Sequence, residues 1–194
     1  MQSKMPLAKE HEIICAGFGG QGVLSMGSII AYSGMIEGKE VSWMPSYGPE
    51  MRGGTANCIV IVSESRISSP IVTKFDTAFV LNQPSLDKFE KAVKPGGLLL
   101  FEQSTIIHPP TRDDIEIVCI PAIEEADKIK SKQVANMIMV GAFLEKRPIV
   151  KMETIIGTLK KVLPEHRHHM IPMNEQALKR GRELAQVEEK INAI

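Results

Sequence analysis

Apolar residues in this chain form short uninterrupted runs, separated by longer stretches in which they recur every three or four positions. Short apolar runs bounded by turn residues are typical of strands buried in a sheet, and the longer spacing is typical of helices. The short runs predict strands over residues 12–16, 41–44, 55–63, 76–82, 98–102 and 115–120. The longer stretches predict helices over residues 23–36, 84–93, 122–130, 134–144, 151–162 and 175–191.

The order of these elements predicts the fold class. Strands that alternate with helices indicate an α/β, three-layer sandwich with a mostly parallel sheet, followed here by a helical C-terminal part. The strand over 55–63 follows the strand over 41–44 closely, so an antiparallel pair in a mixed sheet remains open. The chain has 194 residues and no repeat or linker, and we therefore expect residues 1–194 to form a single domain.

The charge balance excludes some partners. Lys plus Arg and Asp plus Glu number 23 each, so the chain has no net field that would attract nucleic acid or an anionic membrane surface. No apolar run approaches the roughly 20 residues that cross a bilayer. The first ten residues are polar and do not resemble a secretory signal. We expect a cytoplasmic protein without a nucleic-acid or membrane partner.

Three cysteines, Cys15, Cys58 and Cys119, lie far apart in apolar runs. They are interpreted as buried thiols in a reducing compartment rather than as a disulfide framework. Iron–sulfur proteins gather several cysteines at close spacing, and no CxxC occurs, so we expect no cluster in this chain. The segment 165–169, Glu-His-Arg-His-His, offers only adjacent ligands, which rarely converge on a metal, and we expect no metal site.

A glycine-rich loop joins the first predicted strand to the first predicted helix. Gly17, Gly19 and Gly22 satisfy GxGxxG in that context. Backbone N–H groups at a helix start favour an anion such as a diphosphate. A nicotinamide site needs an acidic residue at the end of the second strand, which here reads Trp-Met-Pro-Ser over 43–46. A phosphate-bearing ligand, a structural turn and a subunit contact all remain open. The candidate binding residues are Gly17, Gly19, Gly20, Gln21 and Gly22.

A second loop, Ser-Tyr-Gly-Pro-Glu-Met-Arg-Gly-Gly-Thr over residues 46–55, is the most distinctive stretch of the chain. Tyr, Glu and Arg side chains among glycines exceed what a turn requires, and functional groups are often carried on loops that a sheet positions. A packed crossover loop, with Arg52 paired to Glu50, is the alternative. The candidate binding residues here are Tyr47, Arg52, Gly53 and Gly54. No residue is marked as catalytic.

The two loops together resemble those of the gamma subunits of 2-oxoacid:ferredoxin (acceptor) oxidoreductases, over the chain from about Ile13 to the C-terminal helices. The resemblance implies a complex that oxidatively decarboxylates a 2-oxoacid to an acyl-CoA and reduces ferredoxin or flavodoxin. It implies that thiamine diphosphate, Mg²⁺ and iron–sulfur clusters are held by other subunits. The expected partners are thiamine-binding catalytic subunits and a ferredoxin-like subunit, with a homodimer left open. The chain is then a subunit of an enzyme, inactive alone.

Within that family, residues 46–56 look most like the 2-oxoglutarate type. The resemblance also implies that both loops help to hold coenzyme A. Its diphosphate suits a helix N-terminus, and its 3′-phosphate suits the guanidinium of Arg52. Two alternatives remain. Both loops could dock catalytic subunits without binding a ligand, or the chain could be a free-standing, Rossmann-like nicotinamide- or flavin-dependent enzyme.

Overall fold

A computed structural model describes residues 10–47 and 55–192, with side chains described throughout except at Tyr47 and 188–192. The strands in this part are β1 Glu10–Phe18, β2 Glu40–Tyr47, β3 Thr55–Ser63, β4 Phe75–Val80, β5 Val93–Glu102 and β6 Glu116–Ile120. They form one sheet in the order β2-β3-β1-β4-β5-β6. The helices are α1 Val23–Ile36, α2 Gln83–Phe89, α3 Ala122–Lys128, α4 Ala135–Lys146, α5 Met152–Val162 and α6 Ile171–Asn192.

Short 3-10 helices complete the regular structure of the described residues. They span Glu90–Ala92, Gln103–Thr105, Lys132–Val134 and Glu165–Met170. Within residues 10–47 and 55–192, no helix is both long and apolar enough to cross a bilayer.

Strand directions confirm the expected mixed, mostly parallel sheet. β1, β4, β5 and β6 run parallel, while β3 is antiparallel to both β1 and β2. Phe18 pairs with Thr55, and Tyr47 pairs with Ala56. The end of β1, the end of β2 and the start of β3 therefore lie together at the edge of the sheet where the parallel strands finish. Both loops singled out in the sequence are attached at this edge.

The sheet separates two cores of unequal size. Five helices, α1 and α3 to α6, pack on one face, over side chains that include Ile13, Phe79, Leu100, Met26, Ile138 and Leu178. The other face is covered in part by α2, over Ile14, Val80, Leu99 and Leu86. The three-layer α/β arrangement with a helical C-terminal part is confirmed.

Several element boundaries differ from those predicted. β5 begins at Val93 rather than at 98, because the buried Val93 pairs with Phe75 before a bulge in the ladder. Gly96 has φ 73 and Gly97 has no space for a β-carbon, so the Gly-Gly pair continues the strand instead of ending the helix before it. The predicted helix over 84–93 accordingly ends as α2 at Phe89, with a 3-10 turn after it.

α4 and α6 pack with their backbones in contact. A β-carbon at Gly141 would overlap the carbonyl oxygen of Leu178, and one at Gly181 would overlap the carbonyl oxygen of Ile138. Glycine at both positions therefore allows the approach. α6 begins at Ile171, four residues earlier than predicted, since Pro172 falls in the first turn, where no N–H is needed.

His11 lies in β1 and is buried far from solvent. Its Nε2 is 2.9 Å from Thr77 Oγ1, and its ring centroid is 5.9 Å from that of Phe143. Burial lowers the pKa of His11 from 6.5 to about 4, against the attraction of Asp76. The imidazole is therefore a neutral part of the core. It lies near the start of β1, away from the loop that follows the strand.

Candidate ligand-binding site at the glycine loop

The glycine loop is fixed to the sheet by Gln21. Gln21 N donates to Phe18 O at 3.2 Å, and the Gln21 Oε1 accepts from Phe18 N at 2.6 Å. The Gln21 Nε2 donates to Leu81 O, at the end of β4, at 2.8 Å. Both ends of the Gln21 amide are therefore used within the protein. These hydrogen bonds hold the glycine loop in place against β1 and β4, and ligand binding by Gln21 stays a prediction.

The glycines of the loop serve two different purposes. A β-carbon at Gly17 would lie 2.7 Å from Gln21 Oε1 and 2.9 Å from Leu81 Cβ, so packing requires glycine there. Gly22 has φ 78, and a β-carbon there would lie 2.5 Å from Asn136 Nδ2. Gly20 has φ 100 and open space around it. Gly19 and Gly20 both line a cavity, and these two leave the backbone open to a ligand.

The N-terminus of α1 presents uncompensated N–H groups. Its N-cap is Gly22, which supplies no side-chain cap, and its first turn contains no acidic residue. The first backbone bond into the helix joins Met26 N to Gly22 O at 2.9 Å. Six backbone N–H groups have no acceptor among the described residues, those of Gly19, Gly20, Gly22, Val23, Leu24 and Ser25. Such a cluster at the positive end of a helix dipole suits an anion.

A cavity of about 670 Å³ opens beside this N-terminus. Its walls come from the start of α1, the ends of β4 and β5, the start of α4 and the 3-10 turn before α6. Apolar side chains make up most of the lining, and the volume falls in the range of about 300–1,000 Å³ typical of small-molecule sites. The polar side chains that line it include Glu102, Lys132, Asn136, Arg167 and Asn174.

Glu102 lines the cavity at the end of β5. It is buried at the end of β5, two strands from β1 in the sheet. Its Oε2 accepts from Thr105 N at 3.0 Å and from Ser104 Oγ at 2.8 Å, and its Oε1 accepts from Ile123 N at 3.3 Å. Because these donors satisfy the carboxylate, Glu102 supports the cavity wall and is not a free acid or base.

Asn136 and Arg167 have groups that remain unpaired. Asn136 is 8% exposed, its Nδ2 donates to Gly22 O at 3.3 Å, and its Oδ1 has no partner in the described part of the chain. The Arg167 guanidinium makes no hydrogen bond or ion pair with the described residues. The sequence analysis singled out neither residue, although both line the cavity. The signal for Asn136 is a single amide within an otherwise apolar helical stretch.

The second loop, residues 46–55, is described only at its two ends. Arg52, Gly53 and Gly54 lie outside the described residues, and Tyr47 is described only as the last backbone position of β2. The loop is attached next to the glycine loop through the pairings at Tyr47 and Thr55, and Thr55 and Ala56 line the cavity. The structure therefore brings the ends of the second loop to the candidate site.

The thiols lie in the core rather than at this site. Cys15 and Cys58 face each other across β1 and β3 and are both fully buried. Burial raises the pKa of the Cys15 thiol, which favours the unreactive form. Cys119 is half-buried. Across the described residues, no three His, Cys, Asp or Glu side chains are grouped to hold a metal ion.

The family "pyruvate ferredoxin/flavodoxin oxidoreductase" matches residues 12–184. Ketoisovalerate oxidoreductase subunit VorA of Methanothermobacter thermautotrophicus is 42% identical over 139 residues, which are 72% of this chain and 29% of that protein. The chain thus spans about three-tenths of the length of that relative.

Two solved structures share the fold. The gamma subunit of a keto/oxoacid ferredoxin oxidoreductase from Geobacter sulfurreducens has a TM-score of 0.78 and 27% identity, over 91% of this chain and 99% of that one. A 2-oxoglutarate:ferredoxin oxidoreductase from Magnetococcus marinus, with 2-oxoglutarate, coenzyme A and succinyl-CoA bound, has a TM-score of 0.83 and 25% identity. That match covers 93% of this chain and 32% of the other chain.

Proposed function

Because the chain belongs to the pyruvate ferredoxin/flavodoxin oxidoreductase family, we propose that it is the gamma-type subunit of a 2-oxoacid:ferredoxin or flavodoxin oxidoreductase complex. Residues 1–194 form the gamma-type domain, and other subunits hold thiamine diphosphate, Mg²⁺ and the iron–sulfur clusters. The role of this chain is to hold coenzyme A, the acyl acceptor, while the partners carry out decarboxylation and electron transfer.

The cluster of unpaired N–H groups at the start of α1 carries this proposal. Coenzyme A is a phosphate-rich ligand, and the diphosphate can accept from backbone groups at Gly19, Gly20 and Val23. The neighbouring cavity has the size of a cofactor site and is open beside the loop. The first turn of α1 contains no acidic residue, so the positive end of the helix dipole favours an anion over a cation here.

Arg52, with Tyr47, Gly53 and Gly54, supplies the second half of the proposed site. A guanidinium can bind a phosphate through two parallel hydrogen bonds, and neighbouring glycines let the ligand approach the backbone. Arg52→Ala in the assembled complex should raise the KM for coenzyme A. Loss of a charge-assisted hydrogen bond of roughly 1.5–3 kcal/mol corresponds to a rise of about 10- to 150-fold.

The half-reaction provides the control for Arg52. Decarboxylation of the 2-oxoacid on thiamine precedes acyl transfer and needs no coenzyme A, so Arg52→Ala should leave it largely unchanged. Arg52→Lys should recover part of the affinity, since an ammonium lacks the planar fork. If Arg52→Ala instead breaks up the complex and leaves the KM for coenzyme A unchanged in what survives, both loops are docking elements.

Apolar side chains on the surface support a subunit role. Trp43 is 42% exposed on β2, an edge strand, and Met44 and Phe18 are each 37% exposed. Phe18 is the last residue of β1 and lines the cavity, so a partner that covers it would also close the proposed coenzyme A site. The catalytic subunits are the proposed partners, and co-expression should remove self-association of the isolated chain. A stable homodimer that excludes those subunits would contradict this assignment.

For the 2-oxoacid we propose 2-oxoglutarate, on the likeness of residues 46–56 to that type and on the Magnetococcus marinus enzyme. Ketoisovalerate is the second candidate, favoured by the 42% identity with subunit VorA. Rates of the purified complex with both acids distinguish them. A complex that oxidises neither acid but reduces a nicotinamide with another substrate would favour the free-standing enzyme instead.

A further inference from the structure

Cys15 and Cys58 form a pair of thiols on one face of the sheet. They are directly opposite each other in the antiparallel ladder of β1 and β3, and both side chains belong to the larger core. Opposite residues in such a ladder have Cα atoms about 4.5 or 5.5 Å apart, and a disulfide bridges Cα separations of about 4.4–6.8 Å. The backbone therefore holds these two free thiols at the spacing of a disulfide.

The hydrogen bonds of the two thiols make them unequal. Cys15 donates to the sulfur of Cys58, which also accepts from the indole N–H of Trp43. The Cys58 thiol in turn lies 3.6 Å from the carbonyl oxygen of Val23. The hydrogen bond from Cys15, together with that from Trp43, lowers the pKa of Cys58 against the effect of burial, whereas burial raises the pKa of Cys15. The thiolate, which is the reactive form, is therefore favoured at Cys58 over Cys15.

Trp43 lies at the edge of the sheet beside this pair. It belongs to β2, the edge strand next to β3, and is 42% exposed. A β-carbon at Gly27 of α1 would overlap the sulfur of Cys58 and lie 3.3 Å from the Nε1 of Trp43, so the sulfur and the indole fill the same space over that glycine. Movement of this half-exposed side chain would open a route to Cys58, whereas Cys15 lies one strand further in.

We propose that Cys15 and Cys58 are a reversible oxidation site, which a peroxide converts to a disulfide. The Cys58 thiolate attacks one oxygen of hydrogen peroxide and the O–O bond breaks, which gives a sulfenic acid and a hydroxide that takes up the proton Cys58 released. The Cys15 sulfur then attacks the sulfenic sulfur. The S–S bond forms, the S–OH bond breaks, and the hydroxyl leaves with the Cys15 proton as water. Two thiols are oxidised and one peroxide is reduced to two waters, and a dithiol reductant reverses the oxidation.

Oxidation of the pair also changes the exposed edge of the sheet. A disulfide carries no S–H and cannot form a thiolate, so Cys58 loses its bond to the Val23 carbonyl and its strong acceptor for the Trp43 indole. Trp43 lies in the exposed apolar surface of β2, next to Met44. Trp43 is also the only tryptophan of the chain, so its fluorescence reports the state of the pair.

The test treats the folded, full-length chain carrying Cys119→Ser with hydrogen peroxide. Cys119 lies in β6 and faces the smaller core on the other side of the sheet, so the variant leaves the pair intact and excludes links through a third thiol. Mass spectrometry should show the loss of two hydrogen atoms and a link between the peptides that contain Cys15 and Cys58. The fluorescence of Trp43 should fall, because a disulfide quenches a neighbouring indole, and dithiothreitol should restore both signals.

The opposite result is equally clear in the same experiment. If both thiols stay reduced in the folded chain and react only once urea unfolds it, they are inert packing groups and the proposed oxidation site is wrong. This arm keeps Cys15 and Cys58 unaltered, so it does not depend on whether a variant of either residue folds.

Single variants test the order of attack. Cys15→Ala leaves the Cys58 sulfenic acid without a second thiol, so dimedone, which reacts with sulfenic acids, should label Cys58. Cys58→Ala leaves Cys15 alone, and its labelling should be about tenfold slower or more, because burial keeps it in the thiol form. Equal rates of labelling in the two folded variants would overturn the assignment of Cys58 as the attacking thiol.

Discussion

The side-chain amide of Asn136 donates a hydrogen bond to the carbonyl oxygen of Gly22 and so joins the start of α4 to the N-cap of α1. Gly22 has φ 78, and no space remains for a β-carbon beside the amide. The conformation of the glycine loop therefore depends on a contact between distant parts of the chain.

Gly22→Ala should lower the free energy of unfolding by about 1–3 kcal/mol, from the left-handed backbone and the overlap with Asn136 together. Gly38→Ala is the matched control. It has φ 77 but nothing within 4 Å of the added carbon, so it measures backbone strain alone. Urea denaturation of both variants checks this. If both variants lose the same free energy of unfolding, the side chain of Asn136 does not resist a β-carbon at position 22.

Gln21 gives a second prediction about the loop. Gln21→Ala removes the bonds to Phe18 N and Leu81 O and should cost about 1–3 kcal/mol of stability. Gln21→Glu keeps the acceptor but adds a negative charge near the unpaired N–H groups, so it should weaken coenzyme A binding more than Gln21→Ala does. Calorimetry measures the affinity for coenzyme A, and urea denaturation measures the stability. Gln103→Ala, at an exposed glutamine, is the control and should change neither. If the Gln21→Glu variant binds coenzyme A more tightly than the wild type, the ligand does not place an anion at this loop.

The contact between α4 and α6 can be tested with glycine variants. Gly141→Ala should lower stability by about 1–3 kcal/mol or more, since its β-carbon meets the backbone of α6. Gly157→Ala, on the exposed face of α5 with open space around it, should raise stability by roughly 0.5–1 kcal/mol. Thermal unfolding should therefore give shifts of opposite sign. A stabilising Gly141→Ala would mean that the helices lie further apart.

Much of the fold follows from local sequence patterns. The uninterrupted run of β3 and the stop at Gly38 define their elements without tertiary information, and the glycine spacing locates the turn between β1 and α1. The end of α2 was wrong by several residues, because the buried Val93 and its pairing with Phe75 draw the chain into β5. A pairing between separate strands leaves no local signal.

The candidate site was predictable only on the side that the glycine loop forms. Gln21 remains a predicted ligand residue, and the hydrogen bonds of its amide to Phe18 and Leu81 could not be predicted, because only the folded chain brings these residues together. Asn136 and Arg167 come from the C-terminal helices, and their place in the cavity depends on how α4 and α6 pack on α1. No motif spacing encodes that packing.

His11 makes stability depend on pH. Its pKa is about 4 in the fold and near 6.5 when unfolded, so between these values the unfolded chain binds the extra proton. The stabilisation is complete above pH 6.5 and is lost as the pH falls towards 4. A gap of about 2.5 pH units corresponds to about 3 kcal/mol at most.

Denaturation of His11→Gln across this range should show a shallower loss of stability on acidification than the wild type. The exposed His108→Gln serves as control and should keep the wild-type slope. If His11→Gln loses stability as steeply as wild type between pH 6.5 and 4, other groups cause the acid sensitivity.

The most direct measurement concerns Ser25, an exposed residue in the first turn of α1 that lines the cavity. Ser25→Glu places a carboxylate where it stabilises the helix but repels a bound phosphate. In the assembled complex it should raise the KM for coenzyme A about tenfold or more, while the KM for the 2-oxoacid and the melting temperature do not fall. The neutral Ser25→Gln should stay near wild type. A Ser25→Glu complex with an unchanged KM for coenzyme A would contradict the assignment of this helix N-terminus to the coenzyme.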